Sequence, residues 1–279
     1  MYLWRERVKG DETVDIINSG LEPLDEQSGY RIRPGFFRMN GAYQTANGVS
    51  FTISSHNATS CTLLLFKPQE ATPFAEIEFP ESYRIGDTYS MLVYDLKIEE
   101  FEYAFRLDGP NEPEKGMLFN KNNIILDPYA KALSKPFIYN MNKYLHDNAN
   151  FIPKAIVVND EFDWQGVGKP TFGRDSLIIY ECNVKGLTAI HPDVPLSHRG
   201  KYLGVIHESV IKHLKDLGIT AVQFNPIAAF ISEPHLVKKG LVNYWGYNPV
   251  CFMAPDPRYA VNPLEPAPLG PQASFAASA

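Results

Sequence analysis

The densest cluster of rings in the chain is Asn243-Tyr-Trp-Gly-Tyr-Asn-Pro249, which brings Tyr244, Trp245 and Tyr247 together in one loop. Such rings combine a broad apolar face with a polar tip that can reach water or a hydrogen-bond partner. Other chemistry-bearing residues are more dispersed. Glu181 ends an apolar run and, with Asp193 or Asp175, is the nearest approach to an acid/base pair. Nothing in the spacing pairs these carboxylates, and the plainer role for Glu181 is a polar residue at a strand end. His191, His198, His207, His213 and His235 lack metal-ligand spacing, and His213 reads as a residue at the rim of a helix face. Lys185-Gly186 reads as a turn. Cys61, Cys182 and Cys251 are widely spaced, odd in number and free of any CxxC pair. They read as buried thiols in a reducing compartment. Spacing therefore assigns no catalytic residue, no metal and no cofactor.

Composition narrows the function classes. The chain has 279 residues, 44% hydrophobic and 21% charged, which is enough to bury a sizeable core. Acidic residues outnumber basic ones, 32 to 26, for a net charge of −6. Without a basic excess to displace phosphate counterions, a nucleic-acid partner is not expected. The opening Met1-Tyr-Leu-Trp-Arg-Glu-Arg carries charge where a signal peptide needs an apolar core. No apolar run approaches the roughly 18 residues of a membrane span. The expected compartment is the cytoplasm.

The elements that must position the aromatic loop fall into two unlike halves. Residues 1–35 mix charged and polar types and read as an irregular leader. Residues 36–110 read as short strands between turns. Val49–Ser54 alternates, Cys61–Phe66 is a continuous apolar strand, and Glu76–Phe79, Ser90–Tyr94 and Glu102–Leu107 follow. This spacing predicts a small β-sandwich, each strand burying one face against the opposite sheet. Alternation would place about half of Phe51, Phe66, Phe79, Tyr94, Phe101 and Tyr103 in its core. Residues 111–175 form a connecting region without clear periodicity. Residues 176–262 open with Leu177-Ile-Ile-Tyr-Glu181, a strand of the buried type. A helix over Gly204–Leu217 follows, with Val210, Ile211, Leu214 and Leu217 on one face and Gly218 at its cap. Ala221-Val-Gln-Phe-Asn-Pro226 is a second strand, which makes a βαβ unit with parallel strands. Such a unit is the start of an α/β barrel or of a doubly wound sheet, and two strands do not finish either. Residues 263–279, with prolines at 263, 266, 268 and 271, read as a flexible tail.

Several ordered motifs over roughly 230 residues resemble the isoamylase-type glycogen debranching enzymes of the α-amylase superfamily. They are Gly29-Tyr-Arg-Ile-Arg-Pro-Gly35, Tyr103-Ala-Phe-Arg-Leu-Asp-Gly-Pro110, Phe119-Asn-Lys-Asn-Asn-Ile-Ile-Leu-Asp-Pro-Tyr-Ala-Lys-Ala132, Ile179-Tyr-Glu-Cys-Asn-Val-Lys-Gly-Leu-Thr188, Leu214–Val222 and Asn243–Ala260. The resemblance implies a multidomain β plus α/β chain. An immunoglobulin-like β-sandwich of the CBM48 kind would precede the truncated start of a (β/α)8 TIM barrel. It also implies a retaining hydrolysis of α-1,6 branch points, using two carboxyl groups about 5 Å apart and no metal or organic cofactor. The family's nucleophile and acid follow its fourth and fifth barrel strands, and its first sugar-binding histidine lies in the third-strand motif. The resemblance stops short of that motif, so the 279 residues are expected to hold none of these groups and to be inactive alone. Tyr247, the second tyrosine of Tyr-Trp-Gly-Tyr, resembles the ring that stacks on the sugar at the cleavage point. Tyr244 and Trp245 stand beside it as substrate-binding candidates, with packing of the loop as their alternative role. The implied partner is an α-glucan, such as glycogen or a maltooligosaccharide. Two alternatives remain open: a non-catalytic α-glucan-binding module, and one half of a split debranching enzyme whose barrel a second chain completes.

Overall fold

The structure is a computed structural model that describes residues 21–137, 148–159, 164, 166–168, 170 and 173–262. Most of the leader (1–20) and the Pro/Ala-rich tail (263–279) lie outside the described residues, as does part of the connecting region. In chain order the strands are β1 (Asp25–Gln27), β2 (Tyr30–Pro34), β3 (Gly41–Thr45), β4 (Gly48–Ser54), β5 (Ser60–Phe66), β6 (Pro73–Glu78), β7 (Arg84–Ile85), β8 (Thr88–Tyr94), β9 (Glu102–Asp108), β10 (Asn111–Glu112), β11 (Met117–Leu118), β12 (Ala132–Leu133) and β13 (Ala155–Ile156). One sheet runs β1-β2-β8-β4-β3, with β7 also paired to β8. The other runs β12-β13-β9-β5-β6. All of these pairings are antiparallel.

The two sheets face each other as a β-sandwich. Ile32, Val49, Phe51, Met91 and Val93 from one meet Cys61, Leu63, Leu65, Tyr103 and Phe105 from the other in a single buried cluster. Phe51 and Tyr103 touch edge to face across the gap, with ring centroids 5.1 Å apart. The unbroken apolar run of β5 has a physical reason. Its inner face supplies Cys61, Leu63 and Leu65, while Leu64 and Phe66 on the other face pack with Ala104, Ile124, Ala149 and Ile152. The connecting region is thus part of the sandwich structure, because it covers the outer face of β5 and β9 and adds β12 and β13 to their sheet.

The sheets extend past the boundaries expected from sequence. The stretch read as an irregular leader contributes the β1–β2 hairpin, which turns at Ser28 and Gly29, both at positive φ. Ile32 is its anchor, fully buried against the core. The six aromatics expected to divide between core and solvent do not divide: Phe51, Phe66, Phe79, Tyr94, Phe101 and Tyr103 are all buried. Phe51, Phe79, Phe101 and Tyr103 all face the inner core, Phe66 is taken up by the cover on the outer face of β5, and Tyr94 is covered by Arg31 and by Leu21, whose carbonyl accepts from its hydroxyl.

Beyond the sandwich lie β14 (Ile179–Cys182), α1 (Val184–Thr188), α2 (Tyr202–Val205), α3 (Glu208–Asp216), β15 (Ala221–Phe224), β16 (Ala228–Phe230), α4 (Pro234–Val237) and β17 (Pro249–Pro255). β14 and β15 are parallel, in register from Ile179↔Ala221 to Cys182↔Phe224. The single helix expected over Gly204–Leu217 is two helices. His207 breaks it with extended backbone and caps α3, its ring nitrogen accepting from the Ser209 amide. Val210 and Leu214 are buried, whereas Ile211 and Leu217 are exposed. Gly218, at φ +74°, ends the helix in the left-handed conformation. The strand expected to be buried is not: Leu177, Ile178 and Ile179 are 43–57% exposed among the described residues. A pair of parallel strands leaves much of its own surface uncovered.

The hairpin of β16 and β17 joins the two halves. Ala229, Cys251 and Ala254 enter the sandwich core cluster beside Ala130 and Leu133. Cys251 Sγ lies 3.1 Å from the Ala130 carbonyl oxygen. At the same seam the Asp127 carboxylate is fully buried. It accepts from Tyr103 Oη at 2.7 Å and from the Tyr129 amide at 2.8 Å. Burial pushes the Asp127 carboxyl above its ordinary range, and those two hydrogen bonds pull it back down. A carboxyl raised in the folded state favours folding below its unfolded pKa and loses that contribution as pH rises through its folded value. Tyr103→Phe removes one restraint and leaves a buried acceptor unpaired. We expect it to cost about 1–3 kcal/mol near neutral pH and less near pH ~5, where the carboxyl is more readily protonated. Urea midpoints at the two pH values check this, and an equal loss at both would contradict it.

Candidate functional site

The site is built where β14 and β15 end. The Asn225 amide donates to the Cys182 carbonyl at 2.8 Å and carries the parallel ladder one step further. Asn183, buried, follows β14 and caps α1: its Oδ1 accepts from the Lys185 and Gly186 amides at 2.9 and 3.1 Å. Its Nδ2 donates to the Tyr244 carbonyl at 3.2 Å and so ties the aromatic loop to the strand ends.

The loop itself is shaped by Asn243. Its amide donates to Ser232 Oγ at 3.0 Å, its Nδ2 donates to Glu233 Oε1 at 3.1 Å, and its Oδ1 accepts from the Gly246 amide at 2.9 Å. Gly246 sits at φ +87°, and a Cβ there would lie 2.8 Å from the Pro226 carbonyl oxygen. Only glycine meets both demands. The loop turns sharply there and presents its rings outward: Tyr244 is 41%, Trp245 57% and Tyr247 66% exposed. Tyr244 and Trp245 stand edge to face at 5.2 Å. The Tyr244 hydroxyl rests over Gly186, close enough that a Cβ at 186 would meet it at 2.5 Å. A cavity of about 500 Å³ opens between Tyr180, Glu181, Asn183, Asn225, Tyr244 and Trp245. Beside it, Asn225 Nδ2 donates to Glu181 Oε1 at 3.1 Å and to Tyr247 Oη at 3.3 Å.

The other sequence candidates are not drawn together. Glu181 lies at this end of β14, exposed, with Asn225 as its partner. Asp175 lies in the turn before β14, at the opposite end of the strand. Asp193 is exposed in the loop after α1, its amide donating to His191 Nδ1 at 3.3 Å. His207 is a helix cap and His213 an exposed residue of α3. Among the described residues no group of His, Cys, Asp and Glu side chains converges as metal ligands, and no helix is long and apolar enough to cross a membrane. All three cysteines are free. Burial raises the Cys182 thiol above its usual range, with Glu181 adding to the effect.

Asn183 and Asn225 are the residues that sequence reasoning missed. Each stands one residue beyond a strand, where a polar side chain is freed from the ladder, and that position was the one signal for them. A second cavity, about 640 Å³, lies on the sandwich, with Ser60, Thr62, Arg106, Asp108, Lys121 and Asn122 among its lining residues. Phe66, also at its wall, is fully buried and offers no ring face.

Residues 39–130 match the family described as carbohydrate-binding module 48 (isoamylase N-terminal domain). The glycogen debranching enzyme of Serratia proteamaculans is 36% identical over 247 residues, which is 85% of this chain and 36% of that protein. That of Yersinia enterocolitica is 38% identical over 227 residues, 79% of this chain and 34% of its own length. The chain therefore spans about a third of the length of these curated relatives. Among solved structures, a pullulanase from Paenibacillus barengoltzii, in complex with maltohexaose and α-cyclodextrin, matches with TM-score 0.62 at 21% identity. It covers 93% of this chain and 38% of its own. The catalytic module of the glycogen-degrading pneumococcal virulence factor SpuA matches with TM-score 0.64 at 18% identity, covering 87% of this chain and 35% of its own. At these identities the structures show a shared fold.

The geometry makes Asn183 the tie between strand ends and ring loop. Asn183→Ala removes the α1 cap and the bond to Tyr244. We expect a loss of about 1–2 kcal/mol in a urea titration, together with faster chymotryptic cleavage after Tyr244 and Trp245. Unchanged cleavage at those bonds would show that the loop is held by other contacts.

Proposed function

The chain belongs with the N-terminal portion of the isoamylase-type glycogen debranching enzymes, and on that premise we propose that it serves the hydrolysis of α-1,6 branch points in glycogen-like glucans, with Tyr247 as the ring on which a glucose unit stacks. The observation that carries this reading is the Tyr247 ring itself. It is two-thirds exposed, at the C-terminal ends of parallel strands, with its hydroxyl tethered to Asn225. A flat ring suits the apolar face of a pyranose, while the sugar hydroxyls find partners around its edge. Tyr244 and Trp245 widen the same surface, and the cavity beside them has Asn183 and Asn225 in its wall.

In this reading β14, the helices α1 to α3 and β15 are the first turn of a (β/α)8 barrel, whose sites lie at the C-terminal ends of the strands. The immunoglobulin-like sandwich is a module of the CBM48 kind that docks against the barrel through the β16–β17 hairpin. The branch-point chemistry is retaining: a carboxylate attacks the anomeric carbon while a carboxylic acid about 5 Å away protonates the departing oxygen, and water then releases the glucosyl group. Among the described residues, Glu181, Asp175 and Asp193 do not assemble into such a pair. In this reading the described residues provide the platform and not the carboxylate pair. The reaction needs no metal or organic cofactor, and the free thiols suit a cytoplasmic setting.

A second reading, a glucan held by the sandwich alone, finds support in the polar cavity over β5 and β9. Glycogen affinity of the 279-residue chain that is indifferent to Tyr247→Ala would favour it.

Two measurements test the first reading. The purified 279-residue chain is expected to release no reducing ends from glycogen, amylopectin or pullulan, and heat-labile release would refute that. In a polypeptide of the relatives' full length that carries these residues, Tyr247→Ala should lower kcat/KM by about 10- to 1000-fold, or roughly 1.4–4 kcal/mol of transition-state stabilisation. Tyr247→Phe, which keeps the ring face, should lose much less. A folded Tyr247→Ala variant with full activity would rule out the stacking role.

A further inference from the structure

Tyr247 poses a physical problem. Its ring is largely exposed and follows Gly246, so packing does little to select its rotamer, yet a stacking platform works only if the ring is already in place. The side chain that addresses this is Asn225. It is 8% exposed, and its backbone is fixed by the bond from its amide to the Cys182 carbonyl. Its Nδ2 carries two protons and reaches two acceptors, Glu181 Oε1 at 3.1 Å and Tyr247 Oη at 3.3 Å. An ionised carboxylate can only accept hydrogen bonds, so Glu181 dictates which way the Asn225 amide turns. The NH2 group, not the carbonyl, then faces the phenol.

We propose that Asn225, oriented by Glu181, is the positioning residue of the Tyr247 ring, holding the phenol oxygen as an acceptor so that the phenol's own proton is left to donate to an oxygen of the stacked glucosyl unit. The inference rests on the reading of Tyr247 as a sugar platform and adds to it a direction for the hydroxyl. It also accounts for Glu181, whose carboxylate acts through Asn225 on the ring.

The test uses the 279-residue chain made with 3-fluorotyrosine and read by fluorine NMR. The Tyr247 line is identified by its loss in Tyr247→Phe. In Asn225→Leu the line is expected to sharpen and to move to the position of free fluorotyrosine. Asn225→Asp keeps the shape but loses the donor and sets a second carboxylate against Glu181. Near neutral pH the new carboxylate can only accept, so the phenol turns its own proton onto it: the line should differ from the parent without reaching the position of free fluorotyrosine, and it should shift again as acid protonates the carboxyl pair. A purely structural role for Asn225 would not produce that pH-dependent shift. Should Asn225→Leu fail to fold, Glu181→Ala at an exposed position reads the other end of the bridge and should give a partial shift. A Tyr247 line unmoved by both Asn225→Leu and Glu181→Ala, or an Asn225→Asp line indifferent to pH, overturns the proposal. Failure of the platform reading alone looks different. The Tyr247 line would still depend on Asn225, while the activity of the full-length protein would ignore Tyr247→Ala.

Discussion

A carboxylate taken fully out of water is tolerated only where hydrogen-bond donors replace the water it has lost. Asp127 meets that constraint with the Tyr103 hydroxyl and the Tyr129 amide, and much else is arranged around it. Tyr103 belongs to β9, at the centre of the sandwich, so the pair pins the segment from Ile124 to Ala130 onto the sheet. Phe105 and Ile125 reinforce this with backbone bonds in both directions, at 2.9 and 2.7 Å. The carbonyls that follow Asp127 then form the floor on which Cys251 packs. Through Cys251 the floor fixes β17, and through β16 and β17 it fixes the stem of the aromatic loop. The position of Tyr247 is thus referred back to a buried charge more than a hundred residues earlier in the chain.

The stem has a second anchor of the same kind. Asp256, almost wholly buried, receives the Phe230 amide at 3.1 Å and two bonds from Arg258, at 2.9 and 2.7 Å, while the guanidinium lies 3.7 Å from the Phe230 ring centroid. Here a full counter-charge, rather than neutral donors, offsets the burial. Between these two carboxylates the hairpin has little freedom, which is what allows a loop with three exposed rings to keep one shape.

Much of this was legible in the sequence, for reasons that differ by element. The strands at Val49–Ser54 and Cys61–Phe66 announce themselves because burial on one face or on both leaves a direct trace in residue type. The β1–β2 hairpin does not, because a single residue, Ile32, carries most of its burial and the rest is polar. The helix after Gly204 reads as continuous because apolar spacing is blind to the side-chain cap by which His207 interrupts it. Leu177-Ile-Ile reads as buried because residue type records what a strand is suited to, and the neighbours present decide its exposure. In the site, the rings of the Asn243–Pro249 loop stood out by type. Asn183 and Asn225 did not, since their value lies in partners 61 and 44 residues away, Tyr244 and Glu181. Contacts of that span leave no local pattern.

The exposed face of β14 also bears on how the chain behaves before it is finished. Leu177-Ile-Ile-Tyr180 is uncharged, free of proline and rich in strand-forming side chains, the kind of exposed strand to which another chain can pair. β9, the last long strand of the sandwich, ends at Asp108, so its two longest pairings, β4 with β8 and β5 with β9, can form while this segment is still leaving the ribosome. For that interval the nascent polypeptide carries a folded head followed by an adhesive strand. Translation speed and holdase chaperones then bear, together with equilibrium stability, on how much polypeptide escapes aggregation.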